Sequence, residues 1–263
     1  MGHPPNGIPD SIKCKLFRTQ EHFRELQTET ERYYKSHPGK VVRQANTPSN
    51  IFIGKIEASA PIPKRIPLIL GDFFQNLRSC LDYLIWELVI ANKQTPDHKN
   101  MFPICTTPES FRDQLSRGRL HDIAPDAITE IEALQPYHCG ADAKGTVLFL
   151  IDDFTNINKH RRVLLTNFGG TSAPPDFCVS ETDGKKYGSV SFDSISKQDT
   201  KIGPFPIVAG PLGPGPQVDV PLNLVAFVSM GEGAAQGIEI GVTAKICMGY
   251  VIENLAQFER FFV

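Results

Sequence analysis

From Leu68 to Asn92 the apolar residues recur with the period of an α-helix, and a helix this long and apolar needs neighbours on several sides. On a wheel of about 100° per residue, Phe73, Phe74, Leu77, Cys80, Leu81, Leu84, Ile85 and Leu88 fill one side. Asp72, Gln75, Asn76, Arg78, Ser79, Asp82, Tyr83, Trp86 and Glu87 share the other, which carries no Lys. Solvated helix faces favour Lys and Glu, whereas amide, hydroxyl and aromatic groups beside charges are typical of a lined pocket. Arg78 and Asp82 are four apart and can pair on one face. Asp72, Asn76, Ser79 and Tyr83 form a second line at spacings of four, three and four.

Other helices are expected around this one. Residues 1–10 read as a flexible, Pro/Gly-rich tail, after which Ser11 is placed to cap a helix carrying Ile12, Leu16, Thr19, Phe23, Leu26, Thr30 and Tyr33. Two β-rich runs flanking Thr47-Pro48-Ser49-Asn50 predict a small hairpin at about 40–58. Thr107-Pro108-Glu109 opens a short helix, Pro125 another that Pro136 stops, and Val147 to about His160 a third. From 163 to 242 the period changes to short β-type runs, with Asp183-Gly184 as a turn. Nine Gly or Pro between Gly203 and Pro216 predict a surface loop there. Thr243 then caps a last helix, 243–263, with Ile246, Tyr250, Val251, Leu255, Phe258 and Phe262 turned inward. The expected fold is α+β: a mainly helical bundle over 11–162, a β-rich antiparallel insertion, and a C-terminal helix returning to the bundle.

Charge narrows the function classes. Lys and Arg number 27 against 29 Asp and Glu, a net charge of −2, which disfavours affinity built mainly on phosphate neutralisation but leaves room for a local basic patch. Apolar runs fall short of the ~20 residues a membrane span needs. Six cysteines without a Cys-x-x-Cys pair read as reduced thiols, so the cytoplasm is the expected compartment.

A second polar cluster lies at 152–162. Asp152, Thr155, Asn156 and Lys159 share one side of the predicted helix, and His160 stands between Lys159 and Arg161. An imidazole among cations suits a general base or an anion contact, while the helix dipole alone also explains cations at a C-terminus. Asp72, Asp82, Asp152 and Asp153 have the oxygens for a hard cation, yet the Glu-x-x-His pairs of bundle metal sites do not occur. No metal or cofactor is therefore expected.

Four separated motifs occur in order: Gly71-Asp72-x-x-x-Asn76-Leu77-Arg78-Ser79-x-Leu81-Asp82, Phe102-Pro103-Ile104, Leu134-Gln135-Pro136-Tyr137 and Asn158-Lys159-His160-Arg161. In these the chain resembles a bacterial protein family without an assigned activity, from about residue 12 to 162. The Asn-Leu-Arg-Ser-x-Leu-Asp core also resembles, more distantly, the HEPN helical bundles of RNases and toxin systems. Those enzymes carry a His four to six residues after an Arg, where this chain has Tyr83, Leu84 or Ile85.

Two functions follow as expectations. The HEPN resemblance implies a metal-independent RNase in which Arg78 holds phosphate, His160 acts as acid or base, and Asp82 and Asn76 orient them. The alternative is a non-catalytic binding or assembly protein using face 72–87, with Tyr83 and Trp86 as anchors and Asp72, Asn76, Asn156, Lys159 and Arg161 as further contacts. RNA, a protein or a second copy of the chain are the partners these readings name, and a membrane is not.

Overall fold

Amphipathic periodicity becomes helix at every place where the apolar stripe is long enough to be buried. The computed structural model describes residues 4–36, 40–43, 52–57, 60–160, 165–171, 178–180, 186–191, 205–209, 224–231 and 233–262. In chain order the elements are α1 (Asp10–Ser36), β1 (Lys40–Arg43), β2 (Phe52–Glu57), α2 (Arg65–Ala91), α3 (Pro108–Ser116), α4 (Pro125–Ala133) and a 3-10 segment (Pro136–Gly145). There follow α5 (Val147–His160), β3 (Leu165–Thr171), β4 (Cys178–Ser180), β5 (Lys186–Ser191), β6 (Phe205–Ala209), β7 (Leu224–Met230) and α6 (Ile240–Gln257). The chain divides into two units.

The first unit takes Met1–Glu29, Lys64–Leu165 and Met230–Val263, and it is a helical bundle built on α2. Helix α2 packs against both α5 and α6, which also meet each other. Its two phenylalanines divide the work: Phe73 turns to Phe23 of α1 (centroids 6.2 Å apart) and Phe74 stacks on Phe154 of α5 (4.8 Å). The predicted stripe of α1 is buried throughout, from Ile12 to Tyr33. Thr107 caps α3 by accepting from the Ser110 N–H, with Pro108 in the first turn. Among the described residues no helix is long and apolar enough to cross a membrane.

Several local expectations are corrected. Residues 4–9 are not a free tail: Ile8 is buried, and the Gly7 N–H donates to Glu259 Oε1 at 3.0 Å. Helix α1 starts at Asp10, and the Ser11 hydroxyl donates instead to Glu87 of α2 at 2.5 Å. Helix α6 starts before Thr243 because Glu239, a longer carboxylate, accepts from the Gly241 and Val242 N–H groups. The buried stripe of α6 runs through Ala244, Cys247, Met248, Val251, Ile252 and Leu255, and Ile246, about 140° from Val251 on the wheel, is left at the surface, 53% exposed rather than inward.

The second unit takes Thr30–Pro63 and Thr166–Ser229. Strands β1 and β2 pair antiparallel, with Val41 opposite Ile56, as the hairpin reading requires. A single β-rich insertion before the last helix is not what forms, however. Strand β2 continues onto β6 (Ile53 opposite Val208), giving the order β1-β2-β6-β5-β4, while β3 and β7 make a separate pair. Sequence-distant strands join because a lone two-stranded hairpin is marginal in water and gains from further strands. Strand β6 also falls inside the stretch read as a loop. Pro206 lies within this strand, opposite Lys55 of β2, although proline cannot donate to a ladder. The turns at 47–50 and 183–184 lie outside the described residues.

Candidate functional site

The polar side of α2 splits into an inner and an outer part. Arg78 belongs to the inner one: it is only 6% exposed, although the wheel set it among the solvent-facing groups. Its Nη2 donates to the Phe102 carbonyl at 2.6 Å and lies 3.1 Å from Asp82 Oδ1. Asp82 in turn accepts from the Phe102 N–H at 3.1 Å, so this i, i+4 pair grips both polar groups of one backbone residue. Burial raises the Asp82 carboxyl above its ordinary range, against the opposing pull of Arg78, the Phe102 N–H and Lys159. Arg78 Nη1 is buried without a hydrogen-bond partner.

The other side of the same extended segment is held by Gln135. Its Oε1 accepts from the Cys105 N–H, and its Nε2 donates to the carbonyls of Pro103 and Ile131, each at 3.0 Å. Three of the four sequence motifs therefore meet as one structural clamp on residues 102–105. Gln135 was quoted within the third motif but given no role in the site; its signal is an amide just before Pro136, at a helix end that must satisfy nearby backbone groups.

The fourth motif touches the first. A Cβ built on Gly71 would fall 2.7 Å from Asn158 Cγ, so α2 and α5 approach here because residue 71 has no side chain. Together with the Phe74–Phe154 stack, this runs the two helices antiparallel. Gly71→Ala is expected to destabilise the protein by about 1–3 kcal/mol through overpacking. Adding Asn158→Ala should recover much of that loss in urea denaturation, which a backbone-strain origin would not allow.

The catalytic trio of the RNase reading is not brought together by any described contact. His160 is exposed at the end of α5, and the groups acting on Asp82 are Arg78, Lys159 and Asp152. Lys159 and Asp152 of the second cluster reach Asp82 only through the electrostatic field, among the smaller influences on its carboxyl. Asn156 is exposed and donates to Asp152 Oδ2 at 3.0 Å, and Arg161 lies outside the described residues.

The outer part is a different surface. Tyr83, Trp86 and Ile90 are 40%, 43% and 47% exposed, and Asp72 is also exposed. Asn76 is half-buried, its amide donating back to the Asp72 carbonyl at 2.8 Å. Lys15 of α1 borders this face, with Nζ 5.4 Å from the centre of the Tyr83 ring and 3.4 Å from Asn76 Oδ1. Neither Lys15 nor Ile90 was picked out from the sequence, since the neighbour of a helix face is unknown until helices pack. On α1, His22 is buried with Nδ1 unpartnered, and burial lowers its pKa. Among the described residues no three metal-ligating side chains come together.

No known protein family, curated relative or solved structure matches the chain.

Proposed function

We propose that this chain is a non-catalytic binding module whose outer α2 face docks a protein partner. The observation that carries the reading is the division of α2. The arginine a phosphate site would need is buried against Phe102 and Asp82, while two aromatics and an isoleucine stand open on the opposite flank. Exposed Tyr and Trp on a rigid helix are the groups that dominate protein contacts. The reduced thiols expected from sequence, with Cys80, Cys105 and Cys247 buried and free, suit a cytoplasmic setting. The bacterial-family and HEPN resemblances enter as analogy of fold, which does not by itself assign an activity.

Two measurements test this. A photo-cross-linking amino acid at position 86 in the native cells should give a discrete protein adduct, and the purified chain should leave mixed RNA intact with or without EDTA. EDTA-resistant cleavage that disappears in His160→Ala would overturn the binding module in favour of the RNase. Absence of any adduct at position 86 would overturn it as well.

A further inference from the structure

The outer line of α2 continues further than its polar half suggests. Asp72, Asn76, Ser79, Tyr83, Trp86, Ile90 and Lys93 follow one another at spacings alternating between four and three. Lys93 stands just past the helix end, where its left-handed backbone (φ 59°) takes its side chain out of the helical line and leaves its charge beyond the end of the seam. Every one of the seven is exposed or half-buried. A four-three alternation is the seam along which one helix packs lengthwise on another. The other sides of α2 are taken, by α1 through Phe73, by α5 through Phe74 and by α6. Among the described residues Lys15 of α1 borders this seam at Asn76 and Tyr83, while Tyr83, Trp86 and Ile90 remain exposed.

Resting on the binding reading above, we infer that the occupant of the seam is a second copy of this chain, with the two α2 helices antiparallel about a two-fold axis near Tyr83. Charge order selects the copy and its direction. The seam is acidic at its start, Asp72, and basic just past its end, Lys93, so an antiparallel pair sets Asp72 against the partner's Lys93 twice. A parallel pair would set like on like. Size follows the same symmetry: Ser79 meets the partner's Trp86, and Asn76 meets the partner's Ile90, small against large in both halves. All of these pairings share one centre to within half a residue, as an isologous contact demands.

The flank agrees. A two-fold axis lying in the contact plane keeps α1 on the same side in both copies. Lys15, held between Asn76 and Tyr83, then faces the partner's Glu87, whose carboxylate sits on the α1 side because Ser11 donates to it.

The test is sedimentation velocity and light scattering on the full chain from about 1 to 200 μM, a range that spans ordinary homodimer affinities. Wild type is expected to reach twice the 29.1 kDa chain mass. Trp86→Ala should raise the dissociation constant at least tenfold, the effect of losing a central aromatic anchor. Asp72→Lys should weaken association several-fold, and adding Lys93→Asp should restore it. These positions are exposed, so circular dichroism should confirm an unchanged fold.

A monomer throughout the range overturns the second copy. If position 86 still cross-links to an adduct of another mass, the binding module survives that result; if it gives none, both fall. A dimer indifferent to Trp86→Ala, or one not restored by the charge exchange, overturns the antiparallel α2 seam.

Discussion

Arg78→Ala lowers the free energy of unfolding by about 3 kcal/mol, the low end of what removing one member of a buried ion pair costs. The low end applies because the Asp82 side chain is 32% exposed and water screens part of the pair. The loss has two sources. Asp82 keeps a charge without its cation, and the Phe102 carbonyl loses the 2.6 Å bond from Nη2 while remaining inside the protein. Replacing both members, as Arg78→Met with Asp82→Leu, separates these sources. A simple ion pair could be exchanged for apolar packing at little cost. A backbone clamp could not, because both polar groups of Phe102 would then be orphaned. Urea denaturation should therefore find the double variant still destabilised by more than 1 kcal/mol, the scale of a single buried unsatisfied group. A double variant as stable as wild type would remove the clamp from the account of this segment.

Phe74→Ala costs about 3–5 kcal/mol, the range for deleting a buried aromatic. Phe74 is 1% exposed and lies between Phe73, edge-on at 5.2 Å, and Phe154, stacked at 4.8 Å with the rings 26° apart. Removing it empties the place where α2 meets α5, beside the Gly71–Asn158 approach. Phe154→Ala should cost a similar amount. The double variant should lose less than the sum of the two by about 0.5–1.5 kcal/mol, since the stacking term is counted in each single change. An additive result would mean that the rings contribute only as buried area.

These two changes separate stability from the proposed surface. Both weaken the bundle, yet neither touches Tyr83, Trp86 or Ile90. Variants held below their unfolding transitions should therefore still cross-link from position 86. A loss of association caused by Trp86→Ala with the fold intact is the signature of the surface itself.

The helices were legible because period is a local property. The α1 stripe, the start of α3 at Thr107-Pro108 and the span of α5 each follow from residues a few positions apart. Helix starts were legible where one local signal acts alone, as Pro125 does for α4 and Thr107 for α3. At α6 the competing carboxylate of Glu239 moved the start, and Ile246 lies off the buried stripe because that stripe centres on Cys247 and Val251. The proline rule misplaced one strand: Pro206 sits within β6, opposite Lys55, because pairing with the distant β2 outweighs the local Gly/Pro signal.

The polar residues show the same boundary. Sequence alone determined that α2 is long and two-sided, that Arg78 and Asp82 sit within reach of each other, and that an aromatic line accompanies them. Those are consequences of 3.6 residues per turn. Only the tertiary structure decided which of these groups is inside. Arg78 and Tyr83 share the polar side of the wheel, yet the Phe102 backbone closes over one, while the Lys15 ammonium borders the other and leaves it 40% exposed. A helix wheel reports angle, whereas burial depends on which distant segment packs at that angle. The same pairing of distant segments joins the hairpin of β1 and β2 to β6, a contact that no local pattern in either stretch encodes.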